Sequence, residues 1–172
     1  LYNLPTTGIR FFTVYGPYGR PDMALFKFTK SILKNKEITL FNKGNMYRDF
    51  TYIDDTIDAL YKIIIKPIKK NSKNKKKYSI NESKSNFRLI NIGNNRKTKL
   101  MDFVRILEAN LKKKAKIKFD KIQMGDVMST VTSNRNLKNL INMKKPTSHK
   151  VGIEKFVNWF LSYHDNLKTK KK

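Results

Sequence analysis

The chain is expected to fold as an α/β protein, and three observations point that way. Thr7 to Val14 has the β-branched and aromatic enrichment of a buried strand, broken by YGPYGRPD with its two glycines and two prolines. GNMYRDFTYIDD, Gly44 to Asp55, is a second strand that delivers polar residues to a turn. Between and after these strands come stretches of 10 to 13 residues whose apolar positions recur at helical spacing. A strand ending in a rigid polar turn is where an α/β protein binds ligands.

The elements follow in order. Met23 to Leu33 reads as a helix through Leu25, Phe26, Thr29, Ile32 and Leu33, with Asp22 after Pro21 as its N-cap. Ile38 to Phe41 is a short strand, Asn42 to Asn45 a polar turn and Tyr47 to Tyr52 a second strand, together a hairpin-like element. Asp54 is expected to cap a helix reaching Ile65, with Ile57, Leu60, Tyr61 and Ile64 as its apolar face. Residues 66–86, KPIKKNSKNKKKYSINESKSN, are too polar to bury and read as a lysine-rich surface insertion. Leu89 to Ile92 resumes as a strand, turned by Gly93 and Asn94, and Leu100 to Leu111 forms an amphipathic helix through Phe103, Val104, Leu107 and Leu111. Ile117 to Phe119 is a weak strand, followed by a loop carrying Met124, Gly125 and Asp126. Leu137 to Ile141 is a short helix, and Val151 to Tyr163 a final one burying Phe156, Trp159 and Phe160. One domain over residues 1–165 and a basic frayed tail over 166–172 complete the expectation.

Composition narrows the function classes. Hydrophobic content of 39% supports a folded body, and no apolar run approaches the ~18 residues of a membrane span. The absence of cysteine excludes disulfides and thiolate metal sites and suits a reducing cytoplasm. His149 and His164 lack ligand spacing and are given no role. A net charge of +25 would ordinarily suggest nucleic acid or an anionic polymer. Lysine is instead spread over every segment, and its company of asparagine and isoleucine is what an AT-rich coding sequence produces. A lysine-rich surface is the simpler reading, with a basic binding module as the alternative.

Several residues sit where chemistry is done. Arg48 follows a glycine turn and opens the alternating DFTYI strand, where a guanidinium can grip two phosphate oxygens at once; a surface pair with Asp49 is the other reading. Arg20, Asp22 and Met23 lie where a loop enters a helix, whose free N–H groups and dipole favour an anion. A hydroxyl at Thr13 can donate to a carboxylate, although threonine is also an ordinary strand former. Asp126 stands beside a glycine, as turn formers often do. The Asp54 and Asp55 pair reads as helix capping rather than acid–base or metal chemistry.

The segments RFFTVYGP, RPDMALFKFT, RDFTYIDD, NIGN, LMDF and GDV occur in an order that resembles the C-terminal half of extended short-chain dehydrogenase/reductase proteins, most closely bacterial UDP-glucuronate 4-epimerases. The resemblance implies the end of a Rossmann-like sheet plus a small mixed α/β region, an NAD cofactor and a UDP-sugar substrate. It further implies that Arg48 and Arg20 contact the pyrophosphate or sugar acid, with Asp22 and Met23 in the same loop, and that Thr13 faces the sugar C6 carboxylate. By the same comparison Phe12 lines the nicotinamide side, the Phe41 backbone meets uracil, and Asp126 accepts ribose hydroxyls, flanked by Gln123 and Thr130.

Two family features are missing from the chain. Gly16 and Gly19 have part of the Gly-x-x-Gly-x-x-Gly spacing, but Asp22 stands at the third position, and no tyrosine has a lysine four residues later. The chain opens at Leu1, where the resemblance would just have passed the catalytic lysine. A partial sequence or truncated gene product is expected, inert alone and completed by an N-terminal Rossmann half. The oligomeric state stays open.

Overall fold

In the computed structural model the described residues are 4–68 and 87–169, with side chains described up to residue 163. The lysine-rich insertion lies outside the described residues from residue 69 to 86, and so do the last three residues of the tail.

The expected first strand is two. β1 (Thr6–Phe11) and β2 (Thr13–Tyr15) part at Phe12, because their N–H groups turn to different partners. Phe12 N–H donates to Ile92 O, whereas Thr13 N–H donates to Asp49 O. Strand β5 (Phe50–Tyr52) lies parallel to β2, and β6 (Phe87–Ile92) lies parallel to β1. Gly16 ends β2 at φ +145°, and a Cβ there would stand 2.4 Å from Ile53 Cγ2, so the turn can pack this closely only with glycine.

Helix α1 (Ala24–Leu33) buries Leu25, Phe28, Thr29 and Ile32. Its N-cap is Met23 without a side-chain bond, so Asp22 is not the cap; the Asp22 carboxylate is taken by Arg20 instead. The hairpin expectation also fails. β3 (Glu37–Phe41) pairs parallel with β8 (Lys116–Asp120), while β4 (Tyr47–Arg48) pairs antiparallel with β7 (Thr98–Lys99), a strand not read from the sequence. The short 3₁₀ turn Asn42–Gly44 redirects the chain between β3 and β4.

Helix α2 (Ile53–Ile64) follows β5 without a loop, and its N-cap is Tyr52. Asp54 and Asp55 fall in the first turn, where their charge suits the helix dipole, so Asp54 is not the cap. Thr56, Ala59 and Ile63 are its buried residues, while of the expected face Ile57, Tyr61 and Ile64 are exposed and Leu60 is half-buried. Ala59 and Ile63 of this helix join Ile90 and Ile92 of β6 and Leu137 and Ile141 of the region around α4 (Arg135–Leu140) in one apolar cluster, with Ile9 of β1 packed against it.

The main core lies on the other side of β2 and β5. Tyr15, Phe50 and Tyr52 meet α3 (Leu100–Leu111) and α5 (His149–Thr169) around fully buried Phe103, with Phe50 and Phe103 stacked at 4.0 Å between centroids. All four residues read as the α3 face are buried. Helix α5 starts two residues before the expected Val151 and runs six past Tyr163. Lys112 ends α3 in the left-handed region at φ 51°. No described helix is long and apolar enough to cross a membrane.

Candidate functional site

A cleft of about 740 Å³ opens between α1, β3 and the junction of β4 and β5. Each wall follows from local structure. The first turn of α1 presents Met23, Ala24 and Lys27, with Pro21 and Asp22 just before it. Strand β3 alternates: Ile38 and Leu40 are buried, Ile38 at the foot of the cleft wall, and Glu37, Thr39 and Phe41 line the cleft. Thr13 enters from β2, Arg48 from β4 and Asp126 from the loop after β8.

Arg48 is the best-organised group in this cleft. Its Nη1 donates to Tyr47 O at 2.9 Å and Val127 O at 2.8 Å, and its Nη2 donates to Asp126 Oδ1 at 2.8 Å. The guanidinium carries five N–H donors. Among the described residues these three bonds leave Nε–H and one Nη2–H for a further acceptor. The side chains of Arg48 and Asp126 are only 20% and 32% exposed, so water screens the pair less than it would at an open surface.

Asp49 does not pair with Arg48. It is fully buried, and its carboxylate accepts from the backbone N–H groups of Asn94, Asn95 and Thr132. The alternation of a strand turns consecutive side chains to opposite faces, which sends Arg48 to the cleft and Asp49 inward.

Of the residues singled out from the sequence, Thr13, Asp22, Met23, Phe41, Arg48 and Asp126 meet in this cleft. Arg20 lines a smaller neighbouring pocket with Gly16 and Gly19 and is ion-paired to Asp22. The Arg20 guanidinium beside it holds the Asp22 carboxyl below the usual carboxylate range. Gln123 and Thr130 are not among the cleft's lining residues; Gln123 is exposed and accepts from Asp126 N–H through its carbonyl, and Thr130 N–H donates to Tyr47 O. Phe12 lies half-buried at the break between β1 and β2, also away from the cleft. Sequence reading missed Lys27, Thr39 and Met46, which line the cleft. For Lys27 a signal existed, since it falls one helical turn after Met23; Thr39 had one in its two-residue spacing from Phe41.

The turn at Gly16 and Gly19 does not fit the pyrophosphate of a dinucleotide. Gly16 is filled by Ile53 and Tyr52, and Gly19 N–H is already bonded to Gly16 O. Among the described residues no cluster of His, Asp or Glu could hold a metal ion.

Residues 1–80 match the NAD dependent epimerase/dehydratase family. The chain is 46% identical over 169 residues to protein CapI of Staphylococcus aureus, covering 95% of this chain and 49% of that protein. It is 42% identical to UDP-glucuronate 4-epimerase 4 of Arabidopsis thaliana, over 95% of this chain and 38% of that protein. Among solved structures it superposes on a UDP-glucuronic acid 4-epimerase from Bacillus cereus, in complex with UDP-glucuronic acid and NAD, with a TM-score of 0.76 and 29% identity, covering 94% of this chain and 47% of that one. The chain thus spans about half the length, or less, of the relatives it matches.

Proposed function

The chain belongs to the NAD dependent epimerase/dehydratase family, and from that premise we propose that residues 1–165 are the substrate-binding half of a nucleotide-sugar 4-epimerase acting between UDP-glucuronate and UDP-galacturonate. One observation carries this reading: Arg48, Asp126 and Thr13 enter one 740 Å³ cleft from three different segments, with two N–H groups of Arg48 unused among the described residues. Arg48 grips the pyrophosphate through those groups. Asp126 accepts from the ribose, the β3 backbone at Phe41 meets the uracil, and Thr13 donates to the C6 carboxylate. Asp22 and Met23 line the wall nearest the sugar, and Arg20 exchanges Asp22 for the substrate as its loop closes. Gln123 and Thr130 hold the Asp126 loop in shape through their backbone bonds.

The redox step of 4-epimerisation depends on NAD together with a tyrosine and lysine pair, and both the pair and the glycine cradle lie outside this chain. Its residues bind and orient the nucleotide sugar. An N-terminal Rossmann half supplies the rest, with Phe12 at the nicotinamide side. Support for that partner comes from the exposed apolar residues Phe11, Ile57, Tyr61 and Ile64 on β1 and α2. A cytoplasmic setting belongs to the proposal, since a chain without cysteine needs no oxidising compartment.

Calorimetric titration of the full 172-residue chain with UDP tests the reading. Binding is expected, and Arg48→Ala should weaken it about tenfold or more, as loss of a charge-assisted pair to phosphate does. The chain alone should give no galacturonate product from UDP-glucuronate and NAD by NMR. Absence of UDP binding, or an unchanged affinity in Arg48→Ala, would overturn the assignment.

A further inference from the structure

Asp49 is a fully buried carboxylate whose partners are three backbone N–H groups from distant parts of the chain. Oδ1 accepts from Asn94 at 2.8 Å, and Oδ2 accepts from Asn95 at 3.0 Å and Thr132 at 2.8 Å. Asn94 and Asn95 belong to the turn after β6. Thr132 lies in the segment between β8 and α4 that carries Asp126.

The residue on the other side of Arg48 grips the same segment. Tyr47 N–H donates to Met128 O at 2.8 Å, and Thr130 N–H donates to Tyr47 O at 3.2 Å. Residues 128–132 are therefore held by Tyr47 and Asp49, the two neighbours of Arg48. Asp126, two residues before this clasp, is thereby carried to 2.8 Å from the Arg48 guanidinium. Without the Thr132 bond the loop keeps its bonds to Tyr47 and to the Arg48 guanidinium but loses the buried carboxylate that anchors its far end.

We infer that Asp49 is a positioning residue for the nucleotide site: it fixes the Asp126 loop against Arg48 and so sets affinity for the ribose end of a nucleoside diphosphate. The inference rests on the function proposed above. It deepens that function by assigning the Arg–Asp sequence pair two tasks, with Arg48 facing the ligand and Asp49 holding the loop that faces it. The carboxylate is required because its two oxygens serve three donors. An asparagine has one oxygen and turns an amide N–H₂ toward at least one of those backbone N–H groups. That donor is then left buried without an acceptor.

A double-mutant cycle on the full chain tests this. UDP binding is measured by calorimetry for the natural chain, Asp49→Asn, Asp126→Asn and the double variant. If Asp49 acts through Asp126, Asp49→Asn weakens UDP binding about tenfold in the natural background and less than threefold once Asp126 is already changed. Equal losses in the two backgrounds would mean that Asp49 is only a general support of the fold, and the inference would be wrong. Amide hydrogen exchange on the natural chain keeps the test decisive even if Asp49→Asn does not fold. The Thr132 and Thr130 amides should be protected, and UDP should slow them further in step; a Thr132 amide exchanging as an open loop does overturns the inference. A natural chain that binds no UDP removes the proposed function and this inference together, whereas one that binds UDP with additive losses removes the inference alone.

Discussion

Replacing Gly152 by alanine sets two effects of opposite sign against each other, and the packing decides between them. Gly152 lies in the first turns of α5, where alanine is the better helix former by about 1 kcal/mol. A Cβ at this position, however, would stand 2.3 Å from Tyr15 Oη, 2.9 Å from Tyr15 Cζ and 2.9 Å from Tyr52 Cδ2. The tyrosine cannot simply swing aside. Its ring contacts Phe50, Tyr52, Phe103 and His149 with centroids 5.2 to 6.3 Å away. Forcing a methyl into a packed core costs about 1–3 kcal/mol, and a contact of 2.3 Å puts this one in the upper part of that range; less the helix gain, Gly152→Ala should be destabilising by about 1–2 kcal/mol.

The Tyr15 hydroxyl is the closest obstacle, and it is buried without a hydrogen-bond partner among the described residues. Tyr15→Phe alone should therefore be neutral or stabilising, by up to about 1 kcal/mol. In the double variant the 2.3 Å contact disappears, and the cost of Gly152→Ala should fall by about half. Urea unfolding followed by the fluorescence of Trp159 measures all four proteins in one assay. A Gly152→Ala protein as stable as the natural one, or a strictly additive cycle, would refute the claim that α5 is seated against Tyr15.

Three further outcomes are expected. Burial pulls the His149 imidazole below its usual value near 6.5, with repulsion from Arg96 adding to this and the Phe50 carbonyl and Asp49 opposing it. A depressed histidine is stabilising in its neutral form. Its contribution should be complete above pH ~6.5 and decline as the pH falls below that, and His149→Asn should flatten the decline in urea midpoints between pH 7.5 and 5.5. Asp55 accepts from Thr147 N–H at 2.8 Å and Thr147 Oγ1 at 2.9 Å, tying the start of α2 to the approach to α5; Asp55→Ala should cost about 1–3 kcal/mol, with faster exchange of the Thr147 amide. Phe103→Ala removes a fully buried ring stacked on Phe50 and should cost about 3–5 kcal/mol in the same unfolding assay.

Several elements were legible because their cause is local. The four apolar residues of α3 recur at helical spacing and all four are buried. Ile117 to Phe119 was readable as a strand, and β8 contains it, although its partner β3 lies some eighty residues earlier. Strand pairing was where local reading failed. Ile38 to Phe41 and Tyr47 to Tyr52 are close in sequence and separated by a polar turn, which suggests a hairpin, yet each segment takes its partners from elsewhere in the chain. Adjacency in sequence carries no information about which distant strand completes a ladder.

The α2 face shows a second limit. Ile57, Leu60, Tyr61 and Ile64 were read as its core, but Leu60 is only half-buried, the other three are exposed, and the buried stripe is Thr56, Ala59 and Ile63. Which side of a helix is buried depends on the elements packed against it, so the size of its apolar side chains by itself does not pick that side out. At the site, the motif order singled out six residues that do share one cleft, whereas Asp49 was passed over as a possible surface partner of Arg48.

The order of residues along the chain was enough to establish the α/β class, the helical and extended stretches, the missing glycine cradle and tyrosine–lysine pair, and the arginine and aspartate worth following. Those properties depend on neighbours within a few positions. Only the folded chain decided that β1 and β2 are separate strands, that Arg48 meets a carboxylate 78 residues away, and that Asp49 collects N–H groups from 45 to 83 residues along the chain. A buried carboxylate is satisfied by whatever donors the backbone brings within 3 Å of it, and that distance exists only once the segments have packed.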